Sequence, residues 1–275
     1  MEKENTHLGS ENKIEKAMPV KRRILLKVAY DGSAYSGFAY LENANTIEGT
    51  INTAIEKLTG EKTEVIGASR TDAGVHAYGN VVVFDTASTV PAESFYMALN
   101  SKLPNDIRIM ESFEVPGDFH PRKCRSEKTY EYRILNTKLP IPTKRQYYWH
   151  CSYDLDEKLM NDAGKYMEGE HDFSSFCASG SQALTHVRTI KSVDVARDGD
   201  VITIRVVGNG FLYNMVRIIA GTLMEVGRGK IAPEAVKDII EACDRTKAGP
   251  TAPPQGLFLV KYEFPDGFIL TNSTK

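Results

Sequence analysis

The sequence is short of the residues that staple a chain or anchor it. It has four cysteines in 275 residues, Cys124, Cys151, Cys177 and Cys243, widely spaced and without a CxxC pair. That spacing argues against a dense disulfide framework and against a zinc site, and makes a reducing, cytoplasmic setting the expectation. No apolar run approaches the roughly 18 residues that span a bilayer, so no membrane association is expected. The opening stretch mixes Lys, Glu and Asn with few apolar residues and lacks the apolar core of a secretory signal; positions 1–22 read as a flexible tail. An excess of positive charge is also missing. The 34 Lys and Arg against 36 Asp and Glu leave −2, which on average argues against a nucleic-acid binder.

What the sequence does have is enough for a core: 41% of residues are apolar and 9% aromatic, consistent with one large domain or two moderate ones. From Arg23 onward the periodicities alternate in order. Arg23–Tyr30 is β-rich. Thr46 can cap a helix over Ile47–Gly60, with Ile47, Ile51, Ile55 and Leu58 on one face. Thr63–Ser69 and Asn80–Asp85 are extended by composition, Pro91–Lys102 carries Phe95, Leu99 and Leu103 at helical spacing, and Ile107–Val115 alternates. The first half thus reads β-α-β-β-α-β. The second half repeats the order with additions: a strand at Lys128–Leu135, an extra strand at Tyr147–Tyr153 and a helix at Asp154–Met167. A hairpin of Thr189–Arg197 and Val201–Gly208 follows, turning at Asp198-Gly199. Helices over Phe211–Val226 and Glu234–Cys243 and a closing strand at Leu257–Phe264 complete it.

Two split β-α-β units imply an α+β fold of two ferredoxin-like subdomains, at 23–117 and 118–265, with a second short tail at 266–275. If their sheets join or face each other, a cleft forms between them, where ligands usually bind. A single α+β domain without duplication is the competing reading.

The least ordinary stretch is Gly67-Ala68-Ser69-Arg70-Thr71-Asp72-Ala73-Gly74-Val75-His76-Ala77, between two strands. In isolation it is a turn in which Asp72 caps local amides and Gly74 takes positive φ. The longer string from Ser69 to Ala77, however, resembles the Gly-Arg-Thr-Asp-Ala-Gly-Val-His signature of the tRNA pseudouridine synthase A (TruA) family. Similar to that family as well are Tyr30-Asp31-Gly32-Ser33 with Gly37-Phe38, Asp118-Phe119-His120-Pro121-Arg122, and Lys128-Thr129-Tyr130-Glu131-Tyr132-Arg133-Ile134. Further segments are Gly169 to Phe176, Gly210-Phe211-Leu212-Tyr213-Asn214-Met215-Val216-Arg217 and Ala252-Pro253-Pro254-Gln255-Gly256-Leu257, so the resemblance covers about residues 24–264 in the family's order.

The resemblance implies a cofactor-free and metal-free isomerase that converts uridine to pseudouridine in RNA, breaking N1–C1′ and joining C5 to C1′. It implies ferredoxin-like subdomains in one continuous antiparallel sheet with a central cleft, a homodimer, and tRNA as partner, modified in the anticodon arm at positions 38 to 40. By the same resemblance Asp72 is the catalytic carboxylate, Arg217 its partner and Tyr130 the aromatic that stacks on the target base. Arg70 is assigned to RNA contact. The chemistry needs a carboxylate beside an extruded nucleotide. Attack on C1′, addition to the pyrimidine and removal of a ribose proton all remain open, and each needs the ionised form that a neighbouring Arg favours. Bland alternatives are a core Tyr130, an exposed helical Arg217 and a single phosphate contact by Arg70.

His76, His120, His171 and His186 are not spaced as metal ligands and read as RNA-contacting or structural. Gly227-Arg228-Gly229-Lys230 lacks the spacing of a P-loop and reads as a helix end. This chain departs from the family pattern at Phe38-Ala39 (Trp-Gln), Ser69 (Gly) and Asn80 (Gln). A paralogue acting on another RNA and a non-catalytic RNA-binding module are therefore the rival functions. Charge is also uneven: between His120 and His150 stand eight Lys or Arg and two acids, a local +6 that leaves −8 on the other 244 residues. This segment surrounds Tyr130, and Arg122, Lys123, Arg125 and Lys128 within it are expected to hold phosphates.

Overall fold

A computed structural model describes residues 21–264, so the expected tails at 1–22 and 266–275 lie outside the described residues except for Lys21 and Arg22, the second of which already belongs to the first strand. The elements of the first half are β1 (Arg22–Tyr30), α1 (Ile47–Thr59), β2 (Ile66–Gly67), β3 (His76–Thr86), α2 (Phe95–Asn100) and β4 (Ile107–Val115). Those of the second are β5 (Glu127–Asn136), β6 (Trp149–Cys151), α3 (Glu157–Lys165), β7 (Gly169–Asp172), β8 (Val187–Asp198), β9 (Val201–Gly208), α4 (Met215–Gly227), α5 (Ala235–Glu241) and β10 (Leu257–Glu263).

The strands form one sheet in the order β4-β1-β3-β10-β5-β9-β8-β7, with β2 added beside β3 and β6 beside β5. Pairing is antiparallel except for β5 with β6 and for β10 with β3, the pair that joins the two halves. That junction is short: Phe258 faces His76 and Leu259 faces Ala77. Both halves place their strands in the same spatial order, fourth-first-third-second, the first half as β4-β1-β3-β2 and the second as β10-β5-β9-β8.

The helices cover one face. Thr46 caps α1 through Oγ1, which accepts from the Gly49 amide at 3.2 Å, and Ile47, Ile51 and Ile55 are buried as the spacing predicts, with Leu58 only partly so. Phe95, Leu99 and Leu103 are buried too, although the expected helix there is a 3-10 turn followed by one short α-helix. A smaller cluster on the other face contains Leu25, Val81, Val83, Val115, Phe119 and Tyr262.

Three expectations are corrected. The hairpin expected to turn at Asp198-Gly199 turns at Gly199-Asp200, because Asp198 still pairs with Val201. The strand expected at 63–69 is only Ile66–Gly67, because beyond Ala68 the side chain of Asn80 takes both main-chain groups of Ser69 and ends the ladder. The helix expected from Phe211 starts at Met215, since Asn214 sits in the left-handed region at φ 60. Its buried stripe of Val216, Ile219, Leu223 and Val226 is joined by Met215, Ile218, Ala220, Thr222 and Met224, so α4 is enclosed on nearly all sides. The edge strand β7, Gly-Glu-His-Asp, was not expected: it has no apolar residue and no alternation to read.

Candidate active site

Residues 68–75 leave the sheet between β2 and β3 and are fixed at several points. Asn80 Oδ1 accepts from Ser69 N at 3.2 Å, and Asn80 Nδ2 donates to Ser69 O at 2.9 Å and to Tyr30 Oη at 3.2 Å. Tyr30 Oη shares a 2.7 Å hydrogen bond with Thr71 Oγ1, and the Phe38 amide donates to Thr71 O at 3.0 Å. The turn closes through main chain, Val75 N to Asp72 O at 3.1 Å. The Asp72 carboxylate is therefore left free of local capping and points to another part of the fold.

It meets Arg217. Arg217 Nη1 lies 3.1 Å from Asp72 Oδ2, and both side chains are mostly buried, at 15% and 21% exposure. The guanidinium is held from behind, Nε donating to Ala252 O and Nη1 to Asn214 Oδ1, each at 2.7 Å. The left-handed Asn214, a residue type that tolerates that region, thus supplies both the start of α4 and a bond orienting its arginine. Burial pushes the Asp72 carboxyl above the ordinary aspartate value, outweighing the opposing pull of Arg217. The arginine limits a rise that desolvation alone would make larger.

Tyr130 projects from β5 with Tyr132 and Ile134 on the helix-covered face, and its ring meets Phe211 edge-on at 5.1 Å between centroids. Burial is the main cause that raises its phenol well above the usual value; a Ser69 hydrogen bond opposes it. Tyr130 is a core residue at a cavity wall: it is 9% exposed and lines an open cavity of about 890 Å³.

That cavity also brings together Asp72, Arg70, Arg122, Lys128 and Arg188. Lys123 and Arg125 are exposed and are not among its lining residues, so the basic segment is divided. Arg133 faces the other side of the sheet, stacked 4.0 Å from the Phe258 centroid and paired with Glu131 at 2.9 Å. Burial, with Arg188 and Arg122 nearby, lowers Lys128 to about 8. Arg188 was not anticipated. It lies at the start of β8 with no periodic or motif signal of its own, in the stretch of β8 that pairs with β7, opposite His171.

Phe38 and Ala39 line the cavity, and Phe38 packs so closely on Gly67 that an added Cβ would lie 2.2 Å from its ring. His76 is buried and structural: Nδ1 accepts from Gly32 N at 3.1 Å and Nε2 lies 3.1 Å from Gln146 O. Residues 227–230 do end a helix, with Arg228 and Lys230 both paired to Glu225. All four cysteines are free. No cluster of three or more metal-ligating side chains occurs among the described residues, and no helix there is long and apolar enough to cross a membrane.

Comparison with known proteins gives one consistent result. A family profile described as tRNA pseudouridine synthase matches residues 27–122 and 163–265. A tRNA pseudouridine synthase A of Thermoanaerobacter sp. (strain X514) is 49% identical over 240 residues, 87% of this chain and 98% of the relative. The protein of that name from Syntrophomonas wolfei is 45% identical over 244 residues, 89% and 98% of the two chains. From Clostridium tetani, tRNA pseudouridine synthase A 2 is 48% identical over 240 residues, 86% and 97%.

Proposed function

The chain belongs to the tRNA pseudouridine synthase family, and from that membership we propose that it acts on the anticodon arm of tRNA, at uridines 38 to 40, with Asp72 as the reacting carboxylate. The enzyme isomerises uridine to pseudouridine without a cofactor. In that reaction N1–C1′ breaks, the base turns, C5 joins C1′, and C5 gives up its proton while N1 takes one from solvent, so the composition is unchanged.

The observation that carries the assignment of Asp72 is its 3.1 Å contact with Arg217, a pairing of residues 145 positions apart, with Asp72 at the wall of a cavity that Tyr130, Arg70, Arg122, Lys128 and Arg188 also line. Asp72 is the group presented to the sugar and base. Arg217 favours the ionised form and aims it, with Ala252 and Asn214 holding the guanidinium in place through Nε and Nη1. Tyr130 offers its ring to the extruded uracil, with Phe211 bracing it from the edge. Arg70, Arg122 and Lys128 hold the phosphates that flank the flipped nucleotide, and Lys123 and Arg125 contact RNA further out.

The repeated strand order supports reading the chain as two ferredoxin-like subdomains, 23–117 and 118–265, with this cavity as the cleft between them. A homodimer then offers two clefts to tRNA.

The test is incubation with tRNA carrying tritium at uridine C5. Label is released by the native enzyme and not by Asp72→Asn; equal release from both proteins removes Asp72 from the mechanism. Mapping pseudouridine in tRNA and ribosomal RNA with and without the enzyme fixes the target. Gain at 38 to 40 of tRNA is expected, and gain only in another RNA would favour the paralogue reading that the cavity-lining Phe38 and Ala39 raise.

A further inference from the structure

We propose that Asn80 is a positioning residue for the reaction, whose amide sets the main chain that carries Asp72, directly at Ser69 and through Tyr30 at Thr71. The inference rests on reading Asp72 as the reacting group. Asn80 lies in β3 with no solvent exposure, followed by the buried run Val81–Phe84. An amide in such a place is unfavourable unless its bonding capacity is used.

Here both ends of the amide are used. Oδ1 accepts from Ser69 N at 3.2 Å and from Val81 N at 2.9 Å, while Nδ2 donates to Ser69 O at 2.9 Å and to Tyr30 Oη at 3.2 Å. One side chain thus engages both main-chain groups of Ser69, as a neighbouring strand would, at the point where β2 has stopped. Tyr30 extends the grip to Thr71 Oγ1 at 2.7 Å. Residues 69 and 71 flank Arg70, and Asp72 is next, so any displacement of the clamp passes along one peptide to the carboxylate.

The strand is shaped for this. Val28 faces Asn80 but Tyr30 faces Ala77, so β3 carries an extra residue against β1, and the resulting bulge lets Ala77 and Asn80 serve the same side of the sheet. The Asn80 amide reaches only the main chain of Ser69, whose side chain lies beside Tyr130 at the cavity wall. The bonds to Ser69 therefore serve its main chain, which is what placing the loop requires.

The test compares Asn80→Ala and Tyr30→Phe with the native enzyme and Asp72→Asn in the tritium-release assay, measuring kcat and KM separately. Turnover falls about 100-fold in Asn80→Ala, the scale of a misplacement near 1 Å, and about tenfold in Tyr30→Phe, with KM for tRNA unchanged within about twofold. Deuterium exchange rises over 69–75 in both variants and stays native in β8 and β9. If Asn80→Ala fails to fold, Tyr30→Phe, which removes one oxygen, decides. Native turnover in the folded variants, or a defect confined to KM, overturns the role of Asn80 while Asp72→Asn remains inactive. Activity in Asp72→Asn overturns the underlying assignment instead.

Discussion

The two halves of the sheet share a strand order but use the same connection in opposite ways. The link from second to third strand in the first half is the 68–75 loop bearing Arg70 and Asp72; in the second half it is the two-residue turn Gly199-Asp200 between β8 and β9. The helix that follows differs in the reverse sense. α2 is six residues long and bears no group that reaches the cavity, while α4 runs thirteen residues, nearly all buried, with Arg217 in its first turn. One half thus supplies the carboxylate from a loop and the other supplies its partner from a rigid helix. The site exists only where the halves meet, which explains why the joining strand pair can be so short: the Asp72–Arg217 contact crosses the same boundary.

Removing the loop's contribution has the largest expected effect. Asp72→Asn keeps the shape and loses the charge, and label release should fall by about 10³-fold or more, with tRNA binding by filter retention nearly unchanged. Retained activity would mean that the loop of the first half carries no chemistry and would dissolve the contrast between the halves.

Removing the helix's contribution comes next. Arg217→Ala should lower kcat by about 10²-fold while leaving KM within a few-fold, and unchanged turnover at saturating tRNA would count against the pairing. The pH dependence has a definite sign. Burial raises the Asp72 pKa and Arg217 opposes that rise, so removing Arg217 raises it further. The acid limb of kcat/KM should accordingly move to higher pH in Arg217→Ala, measured from pH 4 to 8.

A smaller effect separates the cations of the second half from its arginine. Lys128 is lowered to about 8 by burial first and by Arg188 and Arg122 after it, so it loses its proton as pH rises through that region. KM for tRNA should rise about two- to threefold between pH 7 and 9 in the native enzyme, as one phosphate contact weakens, and stay flatter in Lys128→Arg. Identical profiles would place Lys128 outside the RNA path.

How much of this was legible in the sequence follows the same division. The loop was readable because its residues are contiguous: Ser69 to Ala77 forms a string whose resemblance names Asp72 without knowledge of the fold. Arg217 was readable through Met215-Val216-Arg217, but the reason it works was not, since Asn214 in a left-handed conformation and the carbonyl of Ala252 are brought to it by tertiary packing. Arg188 and Asn80 lay beyond sequence reading for a related cause. Each acts from a position set by strand pairing, β8 on β7 and β3 on β1, and a polar residue within a strand announces no partner. The basic segment from His120 to His150 misled in part, because alternation along β5 sends Lys128 to the cavity wall and Arg133 to the opposite face.

The smallest effect on activity tests the contrast from the inert side. Gly199 turns the β8–β9 hairpin at φ 55, where a side chain is disfavoured, and nothing lies within 4 Å of a Cβ built there. Gly199→Ala therefore strains the main chain without a clash, at a cost of about 1 kcal/mol. The melting temperature should drop by a few degrees at most, while kcat and KM remain native, because the turn is remote in the chain from every residue that lines the cavity and β8 and β9 stay paired over Ile190 to Asp198. A loss of turnover in this variant out of proportion to its stability would show that the second half's turn communicates with the cavity. The two equivalent connections would then differ in degree, and not in kind as their lengths and contents argue.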